Sequence, residues 1–472
     1  MTSPTTPVNV SGILSVLAAV GQALGSAALA TEESLAGSVT GTSQTISRLF
    51  GVKPAPATGP GKTSATAALT PAPTETWQPG QTVTADQYVQ TALGQIQDAR
   101  ALLGTGWNTW FSRYQLGLAT SYLTKYQANQ QTLMDNYAAN PTSASALAAL
   151  KQNEALPGQA VAALKAARYW SANPDIKAVI VQATTNSRIY ATVPLSMYAG
   201  VEPIVTISVN GGPKIKVLVD TGSSGLVVNY NNVGKTGLGN SVGTGSGGYS
   251  GGLNYSFNTY NTTVDFGSGI ATTPTSVNII TDAKQQADFA TFLQNNGVVG
   301  VLGVGTNAVG PGPGLVTTGL PGALKNGIYI DEAGRKLTFG PNPLPARVTL
   351  SGSPNVIGSV TINGTNTPIN LLIDSGGVTG TLPSMVVGPN MVPVKNRDGT
   401  VAYYLVPVGT PISVYDAAGN LLYSYKTTSS YQPVATTDDY NANLSNTGAM
   451  PFLHNRIYID YSTANGATVF DL

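Results

Sequence analysis

The stretch Val217-Leu218-Val219-Asp220-Thr221-Gly222-Ser223-Ser224-Gly225 decides how the chain reads, because its core recurs as Leu371-Leu372-Ile373-Asp374-Ser375-Gly376. Both versions run three apolar residues into an aspartate, then a hydroxyl residue, then a glycine. A carboxylate at the end of an apolar strand emerges from a sheet interior, where it is costly unless something uses it. A lone Asp-Thr-Gly is a common loop tripeptide and says little. Two with the same lead-in say much more.

The likeness extends both ways along the chain. Ile207-Ser208-Val209-Asn210-Gly211 precedes the first copy and Val360-Thr361-Ile362-Asn363-Gly364 the second. A β-branched run closed by Asn-Gly is a hairpin signal. Downstream, Leu324-Lys325-Asn326-Gly327-Ile328-Tyr329-Ile330-Asp331 matches Leu453-His454-Asn455-Arg456-Ile457-Tyr458-Ile459-Asp460, and closing strands end near Phe339 and Phe470. Matched segments in the same order imply a duplicated β unit. The expected fold class is mainly β: a bilobal domain over 195–472, with lobes of about 195–345 and 350–472 joined near Pro341 to Ser353, preceded by an α-helical region.

Two such loops facing each other across a pseudo-twofold axis bring Asp220 and Asp374 within hydrogen-bond reach. Adjacent carboxylates cannot both ionise easily, so they share a proton and titrate as a pair. The ionised partner can act as general base on a water. The protonated one can hydrogen-bond a carbonyl and later protonate a leaving amine. Thr221 and Ser375 supply hydroxyls to tie the loops together, and Gly222 and Gly376 are expected to permit tight turns without a Cβ clash.

Composition narrows the chemistry. Charged residues are 10% of 472 and the formal net charge is +1, which gives no electrostatic case for nucleic acid or an anionic membrane. The absence of cysteine excludes disulfides, thiolate nucleophiles and cysteine-ligated metals, and a single histidine, His454, excludes a multi-histidine centre. No cofactor and no metal are expected. His454 reads as a surface or structural residue, and Asp331 and Asp460 as turn formers. The run Gly243 to Gly252 lacks a following Gly-Lys-Ser/Thr, so it reads as a flexible hairpin and not as a phosphate loop.

Ahead of the β region, residues 1–50 read as weakly helical, and Ile13 to Leu29 is too diluted by polar residues for a transmembrane span or a standard signal peptide. Six prolines make 51–80 a linker. Residues 81–185 read as helices. Thr84 to Gln87 has the form of a capping box, and Val89, Leu93, Ile96 and Leu103 follow at helical spacing. A second helix is expected from about Trp107 to Tyr137, and shorter ones over Ser143 to Leu150 and Gly158 to Trp170. Phe111, Tyr114, Leu118, Tyr122 and Tyr126 are expected to pack between helices, with a partner-binding surface as the alternative.

The run Asp220-Thr221-Gly222-Ser223-Ser224-Gly225-Leu226-Val227-Val228 resembles the first active-site loop of pepsin-like aspartic proteases. Gly300-Val301-Leu302-Gly303-Val304-Gly305 resembles the strand threaded behind that loop, and Gly448 to Phe470 resembles the closing segment. The helical front end and the cysteine-free, Gly- and Asn-rich β region are most similar to the mycobacterial aspartic proteases associated with PE proteins. The resemblance implies an aspartic endopeptidase with a polypeptide substrate and Asp220 and Asp374 as catalytic carboxylates. It makes Thr221, Gly222, Ser223, Ser375 and Gly376 the supporting residues, Ser223 hydrogen-bonding Asp220 from outside. A mobile hairpin should cover the cleft, with Tyr249 or Tyr255 near its tip. It further implies a secreted or cell-surface location reached by a type VII route, with the N-terminal helical region as the candidate contact for export machinery. PE-bearing surface proteins, and the chain's own linker, are the implied targets.

Three features depart from that pattern. Gly377 stands where a hydroxyl residue is usual, so the outer hydrogen bond to Asp374 must come from elsewhere, with Thr379 or a water as candidates. Asn446-Thr447 replaces an apolar pair before Gly448, and disulfides are absent. Gly377 is the feature that favours an alternative function, a protease-fold binding module without turnover. A third reading makes the helical region the working part and the β domain its passenger.

Overall fold

The computed structural model describes residues 84–472 apart from 107–108, 250–252, 294–296 and 437–442. The expected weak helix over 1–50 and the linker over 51–80 lie outside the described residues.

Among the described residues five helices come first: Ala85–Leu103, Trp110–Ala139, Ala144–Glu154, Leu156–Trp170 and Pro174–Ser187. The capping box forms as its sequence implies. Gln87 N donates to Thr84 Oγ1, and Thr84 N donates to Gln87 Oε1 at 2.8 Å, which satisfies two otherwise orphaned amides. Val89, Ile96 and Leu103 are buried on one face of that helix. The second helix follows its expected stripe except at Tyr114. It buries Ser112, Leu116, Ala119, Leu123 and Tyr126, while Tyr114 is 51% exposed and stacks on Trp110. Its neighbour Leu156–Trp170 presents Ala160, Ala163 and Ala167, and Ser112 Oγ donates to Ala167 O at 3.1 Å. Small side chains let the two axes approach closely. Of the expected stripe Tyr126 is buried, Leu118 and Tyr122 pack against the same core, Phe111 packs on Trp170, and Tyr114 is left outside.

Among the described residues the strands form four sheets. A six-stranded sheet draws on both copies of the repeat, and the two matched segments pair with each other. Ile328 lies opposite Ile459, Tyr329 opposite Tyr458, and Ile330 opposite Ile457. Equivalent residues exchange partners about the Tyr329–Tyr458 pair, as a local twofold requires. One edge of this sheet is Ala191–Pro194, which lies ahead of the boundary expected at 195, and the other is Ala346–Ser351, inside the expected junction.

Among the described residues the first repeat otherwise forms one nine-stranded sheet and the second a five-stranded and a four-stranded one, and around each aspartate the strands pair in the same way. The hairpins before the two aspartates turn at Asn210-Gly211 and Asn363-Gly364, where all four φ angles are positive. That backbone suits Asn-Gly and little else. In the first repeat Lys214–Asp220 runs parallel to Val298–Val304, with Leu218 opposite Val301 and Val219 opposite Leu302. In the second, Thr365–Leu372 runs parallel to Leu444–Asn446, with Leu372 opposite Asn446. Asn446 and Thr447 are thereby the structural counterparts of Val301 and Leu302. Asp331 and Asp460 accept bonds from Gly334 N and Ser462 N in their turns, and His454 is exposed at the end of the helix Met450–His454.

The helices sit on the six-stranded sheet. Tyr137 and Leu150 pack with Tyr329, Tyr458 and Val469, and Tyr137 Oη donates to Leu472 O at 3.3 Å. Among the described residues, no helix is long and apolar enough to cross a membrane. Leu150 is 0% exposed, so Leu150→Ala is expected to destabilise the fold by about 2–5 kcal/mol through the cavity it leaves. Denaturant melts read this as a lower midpoint at constant slope. An unchanged midpoint would contradict the packing of helices on the sheet.

Candidate active site

Asp220 ends the strand Lys214–Asp220, and Asp374 follows directly on Thr365–Leu372 and Ile373. Val219, Leu371 and Ile373 point into the core at 0% exposure, which aims the next side chains toward the opposite repeat. The two loops are locked by reciprocal bonds. Thr221 Oγ1 donates to Ile373 O at 2.6 Å and accepts from Ser375 N at 2.9 Å. Ser375 Oγ donates to Val219 O at 2.8 Å and accepts from Thr221 N at 3.0 Å. Both hydroxyl residues are fully buried.

This lock brings the carboxyl groups of Asp220 and Asp374 into hydrogen-bonding reach of each other. Their inner oxygens accept from the backbone: Gly222 N to Asp220 Oδ1 at 2.8 Å, and Gly376 N to Asp374 Oδ1 at 2.9 Å. Gly222 and Gly376 are needed for a reason other than turn geometry. A Cβ on Gly222 would stand 2.6 Å from Asp374 Oδ1, and one on Gly376 would stand 2.6 Å from Asp220 Oδ1. Neither glycine adopts a positive φ. The constraint is the approach of the opposite carboxyl, which the sequence of either loop alone does not contain.

The outer oxygens differ. Ser223 Oγ donates to Asp220 Oδ2 at 2.5 Å, as expected. Asp374 Oδ2 is reached by neither Thr379 nor any hydroxyl at Gly377; Asn446 Nδ2 donates to it at 2.6 Å. The two departures from the usual pattern thus meet at one atom. From the sequence Asn446 reads as a departure from the pattern, with no role assigned to it at Asp374. The signal was there, since a polar pair stood where Val301-Leu302 stands in the other repeat, but only the strand register links it to Asp374.

Burial, reinforced by the negative Asp374 alongside, pushes the Asp220 carboxyl well above the ordinary aspartate range. Glu202, half-buried at the start of Glu202–Val209, was not singled out from sequence. Its carboxyl is pushed up to about 7, first by burial and then by the charge of Asp374. A third acid therefore lies near Asp374.

Tyr249 and Tyr255 lie on the two strands of one hairpin, Gly243–Tyr249 and Leu253–Thr262, and their rings stack at 5.8 Å. They are companions and not alternatives. The Tyr249 hydroxyl is pushed up by burial, then by Tyr255 and Asp220, and both tyrosines pack with Val227, Phe289 and Val301 of the first repeat. The tip between the two strands lies outside the described residues.

Residues 191–469 match the family described as the PE-PGRS C-terminal aspartyl peptidase-like domain. The chain is also similar to proteins called PE cleavage protein A. The one from Mycobacterium tuberculosis is 44% identical over 306 residues, covering 59% of this chain and 51% of the relative. The one from Mycobacterium marinum is 41% identical over 308 residues, covering 60% and 52%. The chain spans about half the length of the curated relatives it matches.

Because the folded state raises the pKa of Asp220, the stability tied to this group is complete below the unfolded value and is lost as pH rises through the folded one. Asp220→Asn is expected to melt at a higher temperature than wild type near neutral pH, the gap closing as pH falls toward about 4. A gap that grows toward acid would contradict a carboxyl that resists ionisation.

Proposed function

This chain belongs to the PE-PGRS C-terminal aspartyl peptidase-like domain family, and on that premise we propose that it is an aspartic endopeptidase with Asp220 and Asp374 as its catalytic pair. The observation that carries the reading is the geometry of two buried carboxyls, 5% and 9% exposed, held face to face by a buried hydroxyl lock. The pair holds one proton. The ionised carboxylate takes a proton from water as the oxygen attacks the peptide carbonyl carbon, and the protonated carboxyl hydrogen-bonds the carbonyl oxygen. Collapse of the tetrahedral adduct breaks the C–N bond, and a proton from the pair leaves with the amine. Thr221 and Ser375 hold the loops, Gly222 and Gly376 allow the approach, and Ser223 orients Asp220. The hairpin bearing Tyr249 and Tyr255 covers the substrate.

The binding-module alternative drew its support from Gly377. Asn446 supplies the contact that Gly377 cannot, so that support falls away. The names of the relatives favour a PE protein as substrate, and the proline-rich segment 51–80 is the proposed site of self-processing. A secreted or cell-surface location, with the N-terminal helical region serving export, is part of the same reading. So is a domain division at 51 and 81, with the β domain starting by 191 and not at 195, because Ala191–Pro194 belongs to its six-stranded sheet.

Asp220→Ala and Asp374→Ala are each expected to lower kcat/KM on casein or PE-bearing substrates at least about 100-fold, with circular dichroism unchanged. Pepstatin is expected to inhibit the wild type. Equal cleavage by wild type and both variants would sink the assignment.

A further inference from the structure

The two repeats offer an internal comparison. Ser223 and Gly377 are equivalent, three residues after their aspartates, and Val301 and Asn446 are equivalent on the strands beside them. The first repeat pairs a hydroxyl with an apolar residue. The second pairs a glycine with an amide. The exchange is spatially coupled, because a Cβ on Gly377 would stand 3.2 Å from Asp374 Oδ2 and 3.4 Å from Asn446 Oδ1. A side chain there would press first on Asp374 Oδ2 and on Gly448 Cα at 3.3 Å, and would stand in contact with the amide that now fills its role.

The orientation of the Asn446 amide follows from its other end. Gly448 N donates to Asn446 Oδ1 at 2.8 Å, and a backbone N–H can only donate, so the carbonyl faces Gly448 and the NH₂ faces Asp374. Asn446 is itself fixed by the ladder to Leu372 and by Asn446 N donating to Thr381 Oγ1 at 3.3 Å. Thr447 continues the same support, its Oγ1 accepting from Asp374 N at 3.2 Å. An amide NH₂ has no lone pair to offer, unlike the Ser223 hydroxyl, which can donate or accept. Asp374 Oδ2 must therefore remain an acceptor. Asp220 Oδ2, beside Ser223, is under no such restriction.

We infer that Asn446, made possible by Gly377, is a positioning residue for Asp374 that holds its outer oxygen unprotonated and confines the pair's shared proton to the inner oxygens and Asp220. This rests on the proposed peptidase reading and goes further by making the two carboxyls chemically unequal. The upward displacement of Asp220 agrees with it. The ionisable groups around the pair are Glu202, near Asp374, Tyr249 and Tyr255 on the Asp220 side, and Tyr423, close to Thr447.

The test compares wild type, Asn446→Leu, the double variant Gly377→Ser/Asn446→Leu, and Glu202→Gln. Two readouts are taken: the pH dependence of kcat/KM, and the titration of the pair followed by carboxyl-carbon NMR of aspartate-labelled protein, which requires no turnover. Losing the donor disfavours the anion, so Asn446→Leu is expected to move the acidic limb and the NMR midpoint upward by about one pH unit, a tenfold change in proton affinity. The double variant, which restores a hydroxyl beside Asp374, is expected to return both toward wild type. Glu202→Gln separates the neighbouring acid and is expected to leave the Asn446→Leu displacement intact when combined with it. A folded Asn446→Leu whose midpoint stays in place, or whose activity falls equally at every pH, overturns the inference. A wild type that cleaves nothing would overturn the peptidase reading instead, and the NMR midpoint would still decide the role of Asn446.

Discussion

The reciprocal pair of hydroxyl bonds, Thr221 to Ile373 O and Ser375 to Val219 O, is the constraint on which the rest of the site depends. Each hydroxyl belongs to one repeat and satisfies a carbonyl of the other, so the loops cannot separate without stranding buried polar groups. Such a stranded group costs about 1–3 kcal/mol, more than the bond itself contributes. The lock therefore opposes the repulsion of two carboxyl groups brought into contact away from water. Glycine at positions 222 and 376 is a consequence of that contact, since any Cβ would enter the opposite carboxyl.

Duplication explains why the lock is symmetric, and divergence explains why the outer contacts are not. The central sheet keeps the twofold relation, with Tyr329 and Tyr458 facing each other and their isoleucine neighbours exchanging partners. The same relation sets Val301 against Asn446. One repeat surrounds its aspartate with a hydroxyl and an aliphatic wall, and the other with a glycine and an amide. Buried polar groups need partners whatever their source. The loss of a hydroxyl at 377 is compatible with an intact site because a donor arrives from a different strand.

The helices contribute to the site at a distance. They cover the outer face of the sheet that joins the repeats, through Tyr137 and Leu150, and Tyr137 Oη donates to Leu472 O, which also accepts from Arg456 Nη1 of the β region. Burial of aliphatic and aromatic side chains here stabilises the platform by about 1.5–3 kcal/mol per fully buried side chain. The exposed aromatic flank at Trp110 and Tyr114 takes no part in that packing.

What the sequence by itself determined is local or repeated: the capping box at Thr84, the Asn-Gly turns, the apolar runs into Asp220 and Asp374, and the order of the duplicated segments. Each of these depends on neighbours within a few residues, or on comparing one stretch with another. Tertiary structure alone decided that Asn446 reaches Asp374, that Gly222 is required by a carboxyl from the other repeat, that Glu202 lies near Asp374, and that the second helix turns Leu116 and Leu123 inward and leaves Tyr114 outside. These are contacts between residues far apart in the chain. Their identities were visible from the start, but strand register and helix rotation, which arise only when all the faces pack together, determined which of them touch.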